Sequence, residues 1–196
     1  MGKRTPKTIT IGSGKPYAME FTGALPTVET ICTEDNLLGY TKGGAALTYT
    51  PETYEEKDDL GYVSKVIVTS EELLLKLGLL TWNGNVLAKL ADRCTVTEDA
   101  TKGTRTIHLG GAGNSQGKEW VICFLHEDKK DGNLWVLVRG TNTAGLTLTF
   151  AADAGTVLEP EFKAMPQDDK GTLATIIEET GATTTQPGAT TTQPGT

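Results

Sequence analysis

The sequence predicts a mainly β fold, an antiparallel sandwich or barrel with one flanking helix, on three observations. Short β-branched or alternating runs recur at close intervals along most of the chain. Only one stretch has helical periodicity, so the alternation of strands and helices that builds a parallel sheet is missing. The last residues, by contrast, cannot join a packed core. Gly181–Pro187 reads Gly-Ala-Thr-Thr-Thr-Gln-Pro and is copied unchanged at Gly188–Pro194. Nothing from Gly181 to Thr196 is charged, aromatic or large and aliphatic, so the segment cannot bury enough apolar surface to offset the entropy of ordering it. The chain therefore divides into a β domain over residues 1–179 and a low-complexity Thr/Gln/Pro extension over residues 180–196. That extension reads as a flexible spacer or as an appendage displayed outside an assembly.

Thr8–Ile11, Ala18–Thr22 and Val28–Thr33 are short and rich in β-branched residues, and each is expected as a strand. Tyr62–Thr69 alternates apolar and polar residues, and Leu73–Trp82 follows as an apolar run. Asn83 or Asn85 can cap a helix whose apolar face is Val86, Leu87, Leu90 and Ala91. Cys94–Glu98 and Arg105–Leu109 flank the polar turn Asp99–Gly103. Trp120–His126 and Leu134–Gly140 flank Glu127–Asn133, where Asp131-Gly132 predicts a hairpin because both residues tolerate positive φ. Leu146–Ala151 and Thr156–Ala164 are expected to pair antiparallel, with Thr172–Ile177 as the last strand.

Gly43–Gly61 breaks that rhythm. It begins and ends on glycine, carries Pro51 centrally, and holds Tyr49, Tyr54, Glu55, Glu56, Asp58 and Asp59. A connection this long without regular structure is usually functional. The expectation is a long loop, either solvated or acting as an arm that orders against another subunit. The candidate inter-subunit residues are Thr48, Tyr49, Thr50, Pro51, Glu52, Thr53, Tyr54, Glu55, Glu56, Asp58 and Asp59.

A net charge of −7 argues against a nucleic-acid-binding surface, which needs clustered Lys and Arg to neutralise phosphates. No apolar run is long enough to span a bilayer, and the first residues lack the apolar stretch of a signal peptide, so a cytoplasmic site of synthesis is expected. Cys32, Cys94 and Cys123 form no CxxC and read as small buried hydrophobes. Gly12-Ser-Gly14-Lys15 fails as a phosphate loop, since Ile9 and Pro16 stand where glycine and Ser/Thr are needed. Gly110–Gly117 has the glycine density of a dinucleotide loop but opens no helix. His108 and His126 have no ligand partner at metal spacing, and none of the four serines adjoins either histidine. These residues predict a protein with no catalytic residues, cofactor or metal.

Several segments then carry a family resemblance. Leu146-Thr-Leu-Thr-Phe150, Val157-Leu-Glu-Pro-Glu-Phe162, Lys163-Ala-Met-Pro-Gln-Asp-Asp169 and Gly171-Thr-Leu resemble the C-terminal part of phage major tail proteins, the tail tube proteins of long-tailed phages of Gram-positive bacteria. Tyr49-Thr-Pro-Glu-Thr-Tyr54, Asp58-Asp-Leu-Gly61, Ser64-Lys65, Thr81-Trp-Asn-Gly-Asn85 and the hairpin from His126 to Gly132 are similar to the same group. The likeness spans most of Thr41–Glu179, and the order of the pieces makes the case. It implies an antiparallel β-sandwich, barrel-like, with one flanking helix near Asn85–Ala91. It also implies hexameric rings that stack into a tube, with Gly43–Gly61 folding against the neighbouring ring. The partners implied are further copies of the chain and the tape-measure, tail terminator and baseplate proteins. DNA would pass through without specific binding, and the protein would reside in the virion tail after assembly in the host cytoplasm. A monomeric β-sandwich binding module and the tube protein of a contractile injection device are the alternative readings.

Overall fold

The computed structural model describes residues 4–180, so the repeat at Gly181–Thr196 lies outside the described residues. The elements run β1 (Lys15–Glu20), α1 (Val28–Ile31), β2 (Thr41–Lys57), β3 (Ser64–Leu79), α2 (Gly84–Leu90), β4 (Cys94–Asp99), β5 (Thr104–Leu109), β6 (Trp120–His126), β7 (Leu134–Asn142), β8 (Glu161–Ala164) and β9 (Thr175–Glu178). The fold is mainly β, and every strand pairing is antiparallel.

Strand β6 shows why the pieces gather as they do. Its sequence Trp-Val-Ile-Cys-Phe-Leu-His does not alternate, because both of its faces are covered. Val121, Ile122 and Cys123 are fully buried in succession. On one face Ile122 and Val138 meet Leu73, Leu75, Leu77 and Leu79 of β3 and Val86, Leu87 and Leu90 of α2. On the other, Val121, Cys123, Leu125 and Leu137 meet Tyr17 and the α1 residue Ile31. The seven-stranded sheet runs β1-β6-β7-β8-β3-β2, with β9 also on β7. Both β8 and β9 sit along one side of β7, β8 opposite Gly140–Asn142 and β9 opposite Leu134–Leu137. Strands β4 and β5 form a separate hairpin, and the large sheet is open, with β1 and β2 at its ends.

Most expected strands are present, but five expectations change. Thr8–Ile11 is not a strand, and Ile9 and Ile11 are exposed there. Val28–Thr33 instead opens with the single helical turn α1, because the Thr27 hydroxyl accepts the Thr30 N–H and caps it. Leu146–Ala151 forms no strand, and Thr156–Ala164 turns to β3 instead. The Leu158 and Pro160 carbonyls accept the Leu79 and Leu77 N–H groups, and β8 continues that pairing. At the β6–β7 hairpin only Gly132 takes positive φ; Asp131 does not, and Asp128 organises a longer turn by accepting the Lys130 and Asp131 N–H groups. Helix α2 is capped by Asn83, whose side-chain oxygen accepts the Val86 N–H at 3.1 Å.

The largest correction concerns Gly43–Gly61, which is not a loop. Thr41–Lys57 is a 17-residue strand hydrogen-bonded along β3. Its glycines, proline and acids disfavour a strand taken alone, but a partner of matching length overrides local propensity. Pro51 is tolerated because β2 is the edge strand of the sheet.

Candidate functional site

The hairpin of β2 and β3 leaves the body as an arm. In β3, Leu73, Leu75, Leu77 and Leu79 are buried, whereas every residue from Ser64 to Glu72 is exposed. In β2 every residue from Ala45 to Lys57 is exposed. Nine residues of projecting strand at about 3.3 Å each reach roughly 30 Å.

Two irregularities shape the arm. At its base Thr41 pairs with Leu79 and Ala45 with Leu77, so Lys42, Gly43 and Gly44 all face Gly78. Gly43 and Gly44 take φ of 88° and 75°, which only glycine adopts freely. Halfway out, Glu52 pairs with Ser70 and Thr53 with Val68, leaving Thr69 as an extra residue. This bulge changes which β3 side chains share a face. The buried leucines sit at odd numbers, yet beyond Thr69 the same face continues through Val68 and Val66. Leu47, Tyr49, Pro51, Val68 and Val66 therefore prolong the core face into solvent, with Glu71, Thr53 and Glu55 interspersed among them. The opposite face carries Tyr54 beside Ile67 and, towards the body, Glu52, which accepts the Ser70 hydroxyl at 2.6 Å.

The polar groups order the arm from within. Tyr49 donates its phenol to Glu71, and Tyr54 donates to Glu56. Both phenols are held above their usual pKa, chiefly because ionisation would break the hydrogen bond to the carboxylate. At the tip, Asp58 closes the turn: its carboxylate accepts the Val63 N–H at 2.7 Å and the Leu60 N–H at 3.3 Å. The Gly61 N–H donates to the Asp58 carbonyl with Gly61 at φ 71°. Seven acids and two lysines lie between Ala45 and Leu75, so the arm is acidic.

All of the sequence-predicted residues Thr48–Glu56, with Asp58 and Asp59, lie on this one element. Sequence reasoning missed their cross-strand partners Val66, Ile67 and Val68 and the tip residues Tyr62 and Val63, all exposed. The signal was present. Tyr62–Trp82 holds one uninterrupted strand pattern, and so long a strand needs a neighbour of equal length across a short turn.

The other sequence candidates fall elsewhere and do not converge. The Gly12–Lys15 segment lies against β6, with Gly14 so close to the Leu125 carbonyl that a Cβ would come within 2.3 Å. Gly110–Gly117 is fixed by Gln116, whose amide donates to the Ala88 and Cys94 carbonyls. His108 is exposed on β5, while His126 is buried and bonded through Nδ1 to the Ser13 carbonyl at 3.0 Å. Among the described residues no group of three or more His, Cys, Asp or Glu could hold a metal ion. Among them no helix is long and apolar enough to cross a membrane. The chemistry the arm supports is strand pairing and apolar contact with another surface. No protein-family model matches the chain, and no curated protein matches it.

Proposed function

We propose that the chain is a structural virion protein, a tail tube subunit that assembles into stacked hexameric rings and forms the conduit for DNA delivery. The carrying observation is the arm, a two-stranded ribbon with apolar side chains on both faces and no covering surface in the single chain. Such ribbons are at best marginal alone in water, so this one is built to lie against something. The open edges support a second copy as that something. Strand β2 has no outer neighbour, and β3 has none beyond Leu74. Unpaired edges template pairing with another chain. In this reading neighbouring copies complete the sandwich or barrel, and the arm reaches the next ring. The tape-measure, terminator and baseplate proteins occupy the lumen and the two ends. The acidic surface suits a channel that must not bind DNA.

Negative-stain microscopy of the full chain over a concentration series tests this. Rings or tubes are expected, and a shortened arm, with Pro51–Glu71 replaced by Asn-Gly to join the Thr50–Glu72 pair, should give folded monomers. Removing only one strand would unpair β3, so both strands are cut. A full chain that stays monomeric at millimolar concentration would exclude the reading. The exposed tyrosines Tyr49, Tyr54 and Tyr62 keep one alternative in view, a monomeric binding module that uses the arm as a contact surface.

A further inference from the structure

Cys32 and Cys123 come from segments 91 positions apart, yet their sulfurs lie 3.8 Å from each other, with both thiols free. Cys32 ends α1, its N–H donating to the Val28 carbonyl, and it is only half-buried. Cys123 sits fully buried at the centre of β6, opposite Tyr17 of β1. Both pack into the same cluster with Tyr17, Ile31 and Leu137. We propose that this pair is an oxidation site that closes to an intramolecular disulfide and staples the α1 segment to the central strand of the sheet.

The geometry assigns the movement. A disulfide bond is about 2.05 Å long, so the sulfurs must approach by less than 2 Å. Strand β6 is held between β1 and β7 and stays in place. A one-turn helix at the edge of the cluster supplies the shift. The chemistry assigns the order of events. Cys32 has its pKa lowered, first by the hydrogen bond from Cys123 and also by one from Trp135. Cys123 is pushed up by the same hydrogen bond and by burial. The accessible sulfur is thus the one that more readily becomes the thiolate, and the buried one holds its proton more tightly.

With hydrogen peroxide as oxidant, the Cys32 thiolate attacks one oxygen. The O–O bond breaks, and the departing hydroxide takes a proton to become water, leaving a sulfenic acid. The Cys123 sulfur then attacks the Cys32 sulfur. The S–S bond forms, the S–O bond breaks, and the hydroxide leaves as water with the Cys123 proton. Two thiols lose two electrons and two protons, and one peroxide becomes two waters. Cys94 belongs to the other cluster and is pushed up by burial alone, which makes it an internal control.

The test uses the reduced full chain, treated with hydrogen peroxide and then denatured for thiol counting. Titratable thiols should fall from three to one, with the intact mass lower by two hydrogens and the Cys32 and Cys123 peptides joined. The thermal midpoint should rise by roughly 5–10 °C, as expected for closing a loop of about ninety residues, and dithiothreitol should reverse it. Cys32→Ser should leave the other two thiols titratable and yield no joined peptide. Three surviving thiols, a bond that joins Cys94 or two copies of the chain, or Cys32 halted at the sulfinic acid would each overturn the assignment.

Discussion

At the scale of residues, two side-chain environments make direct predictions. Gly78 faces the Lys42–Gly44 irregularity, and a Cβ there would meet the Lys42 carbonyl oxygen at 2.1 Å. The neighbour is backbone, so relief requires undoing the base of the arm. Gly78→Ala should therefore destabilise the fold by about 2 kcal/mol or more, read as a lower urea midpoint at unchanged slope. Gly103→Ala is the contrast, because nothing lies within 4 Å and only its φ of 63° is strained, so about 1 kcal/mol is expected. Asp168 gives a pH signature. Its carboxylate accepts the Thr172 N–H, the Thr172 hydroxyl and the Lys170 N–H, which hold its pKa below the usual aspartate value. A carboxyl with a lowered folded pKa stabilises above its unfolded pKa, and the contribution is lost as pH falls through the folded value. Asp168→Asn should thus be less stable than the parent at pH 7, and the gap should close in acid below the aspartate range. A gap constant down to acid unfolding would show that the charge is irrelevant to that turn.

At the scale of elements, the proposed role of the arm can be tested separately from folding. Val66 and Val68 are 58% and 55% exposed on the stripe that extends the core face. Replacing both with lysine should change the unfolding free energy by no more than about 1 kcal/mol, since little is packed against them. The same double variant should abolish ring or tube formation in sedimentation, because lysine must be desolvated to enter an apolar contact. Assembly that persists at parental concentration would remove the stripe from the interface. The arm also shows where sequence reading succeeds and fails. β6 and β7 were legible because each is an apolar run ended by turn residues, so local pattern and final environment agree. Thr41–Lys57 was not, because its fate depends on a partner beyond a turn, and glycines, proline and acids gave the opposite local message. Val28–Thr33 failed through capping: its β-branched residues look extended, and the Thr27 hydroxyl decides otherwise. The Thr69 bulge was hidden for a different reason. Alternation looks sound on either side of it, and only the cross-strand register reveals that odd and even positions exchange roles.

For the whole molecule, the last described strand ends in an anchor. The Glu179 N–H donates to the Asn133 carbonyl, and its carboxylate accepts the Asn133 N–H at 3.0 Å. These two bonds tie the end of β9 to the β6–β7 turn. Cutting the chain after Thr180 should leave the thermal midpoint unchanged within a degree or two, whereas cutting after Glu178 should lower it measurably. A drop on the first cut would mean that the repeat contributes to the fold. Sequence composition drew the end of the β domain at residue 179, and the repeat beyond it lies outside the described residues. One consequence of the topology is mechanical. β3 runs without interruption from the solvent-exposed arm to the leucine cluster, so it is a tie rod as well as a strand. Tension applied at the tip along its axis is delivered to the β3–β8 hydrogen bonds lengthwise, and Leu74, Leu75 and Lys76 share the load together. A ladder loaded in that direction yields as a unit, not bond by bond, and its lifetime under force follows its unfolding rate. Whatever grips the arm therefore pulls on the core itself.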